Sequence, residues 1–139
     1  MKSNYLDFQV IWEDWNSYKI EGNMTIRIKI PVSGIIEDPA FKSGEKYRFD
    51  IDIIQKVQGD IELHEPSSDP NISSEDIQDQ ISFEPLEERV QIYYIPKNKH
   101  IVLLKPVINK VSRTTKYDKE GYPIFWVESN MLLNDIKLP

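Results

Sequence analysis

The feature that most constrains the fold is a strict alternation of apolar and polar side chains. Over residues 24–30 every second residue is apolar, and the intervening ones are polar or charged. Successive side chains of a β-strand point to opposite faces, so this period of two predicts a half-buried strand. Similar alternations over residues 6–12 and 47–53 predict two further strands.

Composition also favours strands. The 139 residues include 20 Ile but only one Ala, and Ile favours strands whereas Ala favours helices. Nine Pro indicate many short elements separated by turns. We therefore expect a single all-β domain over residues 1–139, a small barrel or sandwich of about seven to eight strands.

Several local pairings follow from the pattern. Residues 90–95 and 101–104 flank a short polar turn, and residues 107–111 and 124–127 flank a longer one, so each pair of runs predicts a hairpin. The strand at 24–30 is expected to pair with that at 47–53, since opposite charges would then face each other. A short helix is expected over residues 73–80.

The two halves of the chain resemble each other at a constant offset of 75 residues. Ten positions between residues 8 and 57 are identical to the residue 75 positions later, among them Phe8, Glu13 and Tyr18. The offset predicts repeat units at 5–59 and 80–134 about a pseudo-twofold axis, with an acidic loop, 60–80, between them. The alternative is two unrelated β meanders that share spaced Ile and turn residues.

Charge is segregated along the chain, whose net charge is −6. Ten acids and no Lys or Arg lie between Asp60 and Glu88, whereas seven bases and one acid lie between Lys97 and Lys119. The overall acidity argues against attraction of the whole surface to nucleic acid or anionic lipid. The two segments either neutralise each other in the fold or leave a local basic patch.

Most catalytic and cofactor motifs are missing. No two of the five Gly are close enough for a phosphate-binding loop, and without Cys there is no disulfide or thiolate. His64 and His100 are too few and too far apart in sequence for a zinc site. Asp50 and Asp52 share one strand face, but strand pairing explains them without catalysis. We therefore predict no enzyme, no cofactor and no metal.

The sequence also bears on location. No apolar run approaches the roughly 20 residues that span a bilayer, and the first residues lack the apolar stretch of a signal peptide. Together with the missing Cys, this predicts a cytoplasmic protein without membrane association.

Two functions are expected from the aromatic and basic residues. The first is a non-enzymatic interaction or adaptor module that binds a protein partner, with Trp15 exposed as the contact; Trp12 and Trp126 are expected in the core. The alternative is a small β-barrel that binds single-stranded nucleic acid through the basic segment 97–119. The candidate nucleic-acid-binding residues are Lys99, Lys105, Lys110, Arg113, Lys116 and Tyr117. The sequence leaves the partner's identity and the oligomeric state open.

Overall fold

The computed structural model describes residues 4–37 and 47–139, in which nearly all regular structure is β. These ranges contain twelve strands and two single-turn 3-10 helices, Ser74–Asp76 and Pro96–Asn98. The strands are β1 Tyr5–Leu6, β2 Gln9–Trp12, β3 Asn16–Ile20, β4 Thr25–Lys29, β5 Val32–Glu37, β6 Tyr47–Ile51, β7 Ile54–Gln58, β8 Ile77–Ile81, β9 Phe83–Glu87, β10 Gln91–Ile95, β11 His100–Thr114 and β12 Trp126–Lys137. The all-β prediction is confirmed, and the strands outnumber the expectation because runs such as residues 6–12 are split.

The strands form three antiparallel sheets. Their orders are β1-β5-β6, β7-β4-β3-β9 and β12-β11-β10-β2, and β8 also pairs with β11. None of these sheets closes into a barrel within the described ranges, so the architecture is sandwich-like. In the described ranges the second of these sheets has β7 and β9 as its end strands, and the third has β12 and β2.

The long strand β11 organises the second half of the chain. Its first part pairs with β10, its last part pairs with β8, and β12 runs beside most of its length. Tyr93 lies opposite Val102, and Val111 lies opposite Val127. Both predicted hairpins are confirmed.

The predicted pairing of residues 24–30 with residues 47–53 is wrong. Arg27 lies opposite Ser17 on β3 and Lys56 on β7, while Asp50 on β6 lies opposite Gly34 on β5. The turn at Gly22, whose φ is 68°, joins β3 to β4 and gives β4 a neighbour that is local in sequence. Charge pairs worth a few tenths of a kcal/mol cannot compete with that short connection.

The predicted helix over residues 73–80 is also mostly wrong. Only Ser74–Asp76 forms a single 3-10 turn, and Ile77–Ile81 continues as β8. Ile81 is buried opposite Val111, so strand pairing with β11 satisfies this backbone and buries an apolar side chain at the same time. Tertiary packing overrides the capping signal at Ser73.

The acidic segment forms no helix or strand over residues 61–73. Its backbone is nevertheless fixed, because His64 N donates to Gly121 O at 3.0 Å and Ser67 N donates to Tyr117 O at 3.2 Å. Gly121 has a φ of 91°, and a Cβ there would lie 2.2 Å from the carbonyl oxygen of His64. Glycine is therefore required where the acidic segment crosses the β11–β12 connection.

Two apolar clusters form the core. Tyr18, Ile20 and Ile28 belong to the first cluster, together with residues of β7, β8, β11 and β12. Tyr93 and Ile95 belong to the second, together with residues of β1, β5, β6 and β11. Full burial of a single Ile is worth about 1.5–3 kcal/mol, so these clusters supply most of the stability.

Some strand bounds and registers agree at an offset of 75 residues, the offset of the ten identical positions in the sequence. β3, residues 16–20, and β10, residues 91–95, have bounds that differ by 75. The same difference separates β2, residues 9–12, from residues 84–87 of β9. Tyr18 lies opposite Pro85, and Tyr93 lies opposite Val10. The bulge in each pairing also corresponds, since the skipped residues are Ile11 in β2 and Leu86 in β9.

Candidate functional site

Three consecutive apolar side chains are exposed on the edge strand β2. Val10 is 50% exposed, Ile11 54% and Trp12 49%; we call these three residues the β2 surface. The expectation that Trp12 lies in the core is wrong, because β2 ends its sheet and pairs only with β10 in the described part of the chain. Contiguous exposed apolar side chains on a strand edge indicate an interaction site.

Both ends of β2 are fixed to the core by Tyr93. Glu13, which follows β2, accepts a 2.5 Å hydrogen bond from the Tyr93 hydroxyl and a 2.9 Å hydrogen bond from Val32 N. Phe8, which precedes β2, packs edge to face on the Tyr93 ring with centroids 5.9 Å apart. These contacts hold the β2 surface in a defined conformation, so little ordering would be required on binding.

Corresponding residues surround Tyr18. Phe83 packs edge to face on its ring, again at 5.9 Å, and burial followed by the nearby Glu88 carboxylate raises the pKa of Tyr18. For Tyr93, burial followed by the Glu13 carboxylate likewise raises the pKa. The hydroxyls differ: that of Tyr93 donates to Glu13 at 2.5 Å, whereas within the described residues that of Tyr18 lies near Glu88 without a hydrogen bond of normal geometry.

Asp14 and Arg89 form an ion pair between the two halves. Their side chains approach to 2.6 Å, Arg89 also pairs with Glu87, and the backbone N of Arg89 donates to Asn16 Oδ1 at 2.7 Å. Their residue numbers differ by 75, the offset at which the bounds of β3 and β10 also agree. Around this pair we define the acidic rim as Glu13, Asp14, Glu87 and Glu88, whose four carboxylates are set against the single Arg89 guanidinium.

The corresponding edge strand, β9, carries a different surface. Where β2 has Val10 and Trp12, β9 has Pro85 and Glu87, although the bulge residue Leu86 is 56% exposed like its counterpart Ile11. Proline cannot donate to an added strand, and charged side chains discourage edge-to-edge pairing. The two edges correspond in backbone but differ in what they could bind.

Trp15, the predicted protein contact, is half-buried. The Arg27 guanidinium lies over its ring at 5.1 Å from the centroid, and the ring lines a shallow groove of about 350 Å³ with Ile54 and Tyr122. Trp126, which was expected in the core, is also half-buried. The exposed tryptophan face in this region of the sequence therefore belongs to Trp12.

Two of the predicted nucleic-acid-binding residues form ion pairs with carboxylates. Lys110 lies 3.7 Å from Glu128. The Arg113 guanidinium donates to Glu21 at 2.6 Å and to Asp79 at 2.9 Å. These carboxylates reduce the positive potential that the basic segment would offer to phosphates.

The other predicted basic residues do not form one compact patch. Lys99 precedes β11 and Lys116 follows it, so the 15-residue strand separates them. Lys105 is exposed on that strand. Hydrogen bonds from Ser73 lower the carboxyl pKa of Asp76, and the nearby Lys116 lowers it further. Tyr117 stacks on His64 with ring centroids 4.4 Å apart.

The remaining polar clusters also have structural explanations. Asp50 accepts a 2.6 Å hydrogen bond from the Tyr5 hydroxyl, and the backbone of Asp52, though not its carboxylate, bonds Pro31 O. Buried His100 lies 2.6 Å from the Tyr47 hydroxyl. Across residues 4–37 and 47–139, no group of three His, Asp or Glu side chains is arranged to hold a metal ion.

Comparison with known proteins returns no match to a family model, to a curated protein or to a solved structure. Among the described residues, no helix has the length and apolar character needed to cross a bilayer. The β2 surface was missed by the sequence analysis. The available signal was the triplet Val10-Ile11-Trp12. Successive side chains of a strand point to opposite faces, so three consecutive apolar residues place at least one apolar side chain on the face away from the core.

Proposed function

We propose that this protein is a non-enzymatic interaction module that binds a protein partner on its β2 surface. The observation that carries the proposal is the half exposure of Val10, Ile11 and Trp12 on a strand that ends its sheet. A tryptophan beside two aliphatic side chains is typical of the anchor residues of protein interfaces. The expected contact at Trp15 is replaced by Trp12, a few residues earlier.

The size of the β2 surface indicates how strong such binding would be. Full burial of one large apolar side chain is worth about 1.5–3 kcal/mol, so covering the exposed halves of three would contribute roughly 2–5 kcal/mol. Association also costs translational, rotational and side-chain freedom. The β2 surface would therefore anchor a partner whose affinity needs further contacts around it.

We also propose that the fold is an internal duplication with units 5–59 and 80–134, which exchange strands β2 and β9. Its support is that the sequence identities and the strand registers, including the bulge within each register, agree at one offset. The exchanged contacts of Phe8 with Tyr93 and Phe83 with Tyr18 agree as well. In such a duplication, β9 is an internal comparison for β2.

The nucleic-acid alternative has weaker support. Lys110 and Arg113 already face carboxylates, and Lys99 and Lys116 flank opposite ends of β11. Binding to single-stranded DNA or RNA that saturates and weakens with salt would favour this alternative, since phosphate contacts release counterions.

The proposed function is tested by comparing capture with three forms of the protein. The wild type, Trp12→Glu and the control Leu86→Glu, which changes an exposed apolar residue of β9, would be tagged and used to capture proteins quantitatively from cells of the source organism. Leu86→Glu places the same charge at the corresponding edge. Far-UV circular dichroism would establish that each variant is folded, and Ile11→Ser replaces Trp12→Glu if the latter does not fold.

The proposal predicts a protein that the wild type and Leu86→Glu retain equally and that Trp12→Glu loses by about tenfold or more, since a charge would be forced into an apolar contact. Retention of the same proteins in the same amounts by all three forms would contradict it.

A further inference from the structure

We propose that the docking element of the partner is an extended apolar segment with a flanking Lys or Arg, which lies along β2, and that one such segment binds per chain. This inference rests on the proposed function and adds the chemistry and the number of the ligands. Three features support it: the position of β2 at the end of its sheet, the charges at the ends of β2, and the different composition of β9.

An extended segment is favoured because β2 is the last strand of its sheet. Within the described ranges β2 pairs with β10 alone, with Trp12 opposite Ile92 and Val10 opposite Tyr93. A strand edge presents unpaired N–H and C=O groups that an extended peptide can bond, and its side chains then provide specificity. Because β2 has four residues and a bulge at Ile11, the added segment would be short.

A basic flank is favoured by the charges at the ends of β2. Asp7 lies before the strand. The acidic rim lies at its other end, where four carboxylates surround one base, Arg89. Glu88 is exposed to solvent. A cation on the bound segment would meet this net negative potential, which would favour correct partners and speed their association.

A second copy of this chain fits the same edge poorly. Antiparallel pairing of two β2 strands about a point between Val10 and Ile11 would place Asp7 of each copy opposite Asp14 of the other. Each acidic rim would then lie beside Asp7 of the other copy, on chains whose net charge is −6. Like charges directly opposite each other across strands are destabilising.

Of the two edges related by the offset of 75, the composition of β9 leaves β2 as the one that suits an added segment. Pro85 of β9 corresponds to Val10 and removes a backbone donor, while Glu84 and Glu87 place carboxylates where β2 has Gln9 and Trp12. The duplicated backbone therefore offers two corresponding edges, of which only β2 has an apolar, uncharged sequence.

The inference is tested by nuclear magnetic resonance with the full chain labelled with ¹⁵N. The probes are two synthetic peptides that share an alternating valine–threonine core and carry either two lysines or two glutamates at one end. The lysine peptide is expected to shift the Trp12 indole signal and the β2 amides at low salt. The glutamate peptide is expected to bind at least about tenfold more weakly, and salt should reduce the difference.

The outcomes separate this inference from the proposed function. Lysine-peptide shifts that Trp12→Glu abolishes and Leu86→Glu keeps, with one peptide bound per chain, support the inference. Equal binding of both peptides, shifts centred on β9, no shift at millimolar peptide, or a dimer in sedimentation that Trp12→Glu disrupts would each overturn it. Capture that still depends on Trp12 would then leave the proposed function standing without this partner chemistry.

Discussion

The hydroxyl of Tyr93 donates a 2.5 Å hydrogen bond to Oε2 of Glu13 and so joins the second half of the chain to the end of β2. The same hydroxyl accepts a 2.7 Å hydrogen bond from Gln91 Nε2. Tyr93→Phe should lower the free energy of unfolding by about 1–3 kcal/mol, because two partly or fully buried polar groups lose a partner. Urea unfolding followed by circular dichroism measures this change.

Tyr18→Phe is the matched control, because Tyr18 occupies the corresponding position and its hydroxyl makes no normal hydrogen bond in the described structure. Removal of the Tyr18 hydroxyl should change the free energy of unfolding by about 1 kcal/mol or less. Equal destabilisation by the two substitutions would contradict the asymmetry between these sites.

The same tyrosines predict loss of stability at alkaline pH. Burial raises the pKa of both Tyr18 and Tyr93 above the ordinary value of 10. Above pH 10 the unfolded chain therefore binds fewer protons than the folded chain, so this stability is fully present below pH 10 and declines as the pH rises. Each tyrosine should contribute a slope of about 1.4 kcal/mol per pH unit, and Tyr93→Phe should flatten the curve of unfolding free energy against pH.

Gly121 should be intolerant of a side chain. Gly121→Ala would place a Cβ 2.2 Å from the carbonyl oxygen of His64 on a backbone whose φ is 91°, and should cost about 2 kcal/mol or more. Gly22→Ala is the control, since its φ of 68° carries strain but no atom lies within 4 Å of the added Cβ. Thermal unfolding should show the larger loss for Gly121→Ala, and equal losses would show that the contact with His64 is unimportant.

The chain should survive a cut in the acidic segment. A protease site inserted between Ser68 and Asp69, in a stretch without helix or strand, would separate the proposed units after cleavage. The β2–β10 and β3–β9 pairings and the Asp14–Arg89 ion pair all connect the two fragments. We expect both fragments to migrate together in native size-exclusion chromatography, whereas separation without denaturant would contradict the proposed exchange of strands.

Much of the fold could be predicted from the sequence. The alternation over residues 24–30 predicts β4, whose Ile26 and Ile28 are completely buried, and the turns predict the β10–β11 and β11–β12 hairpins. These are local signals. The partner of β4 could not be read from charge, because the connection through Gly22 places β3 beside it whatever its outer face carries.

The candidate site could not be predicted in the same way. Alternation suggests a buried Trp12, but burial depends on whether anything covers the strand, and β2 lies at the edge of its sheet. The basic residues looked available in the sequence, yet Glu21, Asp79 and Glu128 reach two of them from distant positions. The exposure of Trp12 and the charge partners of these bases both depend on tertiary neighbours that one-dimensional patterns do not contain.

The central claim is that a partner binds at β2 and not at the corresponding edge, and site-specific photo-crosslinking tests it most directly. A photoreactive amino acid would replace Ile11 or, as the matched control, Leu86, both of which are exposed bulge residues. Each protein would be irradiated in cells of the source organism. The account predicts a discrete crosslinked species from position 11 that position 86 does not give and that the added substitution Trp12→Glu removes. Identical products from both positions, or none from position 11, would contradict it.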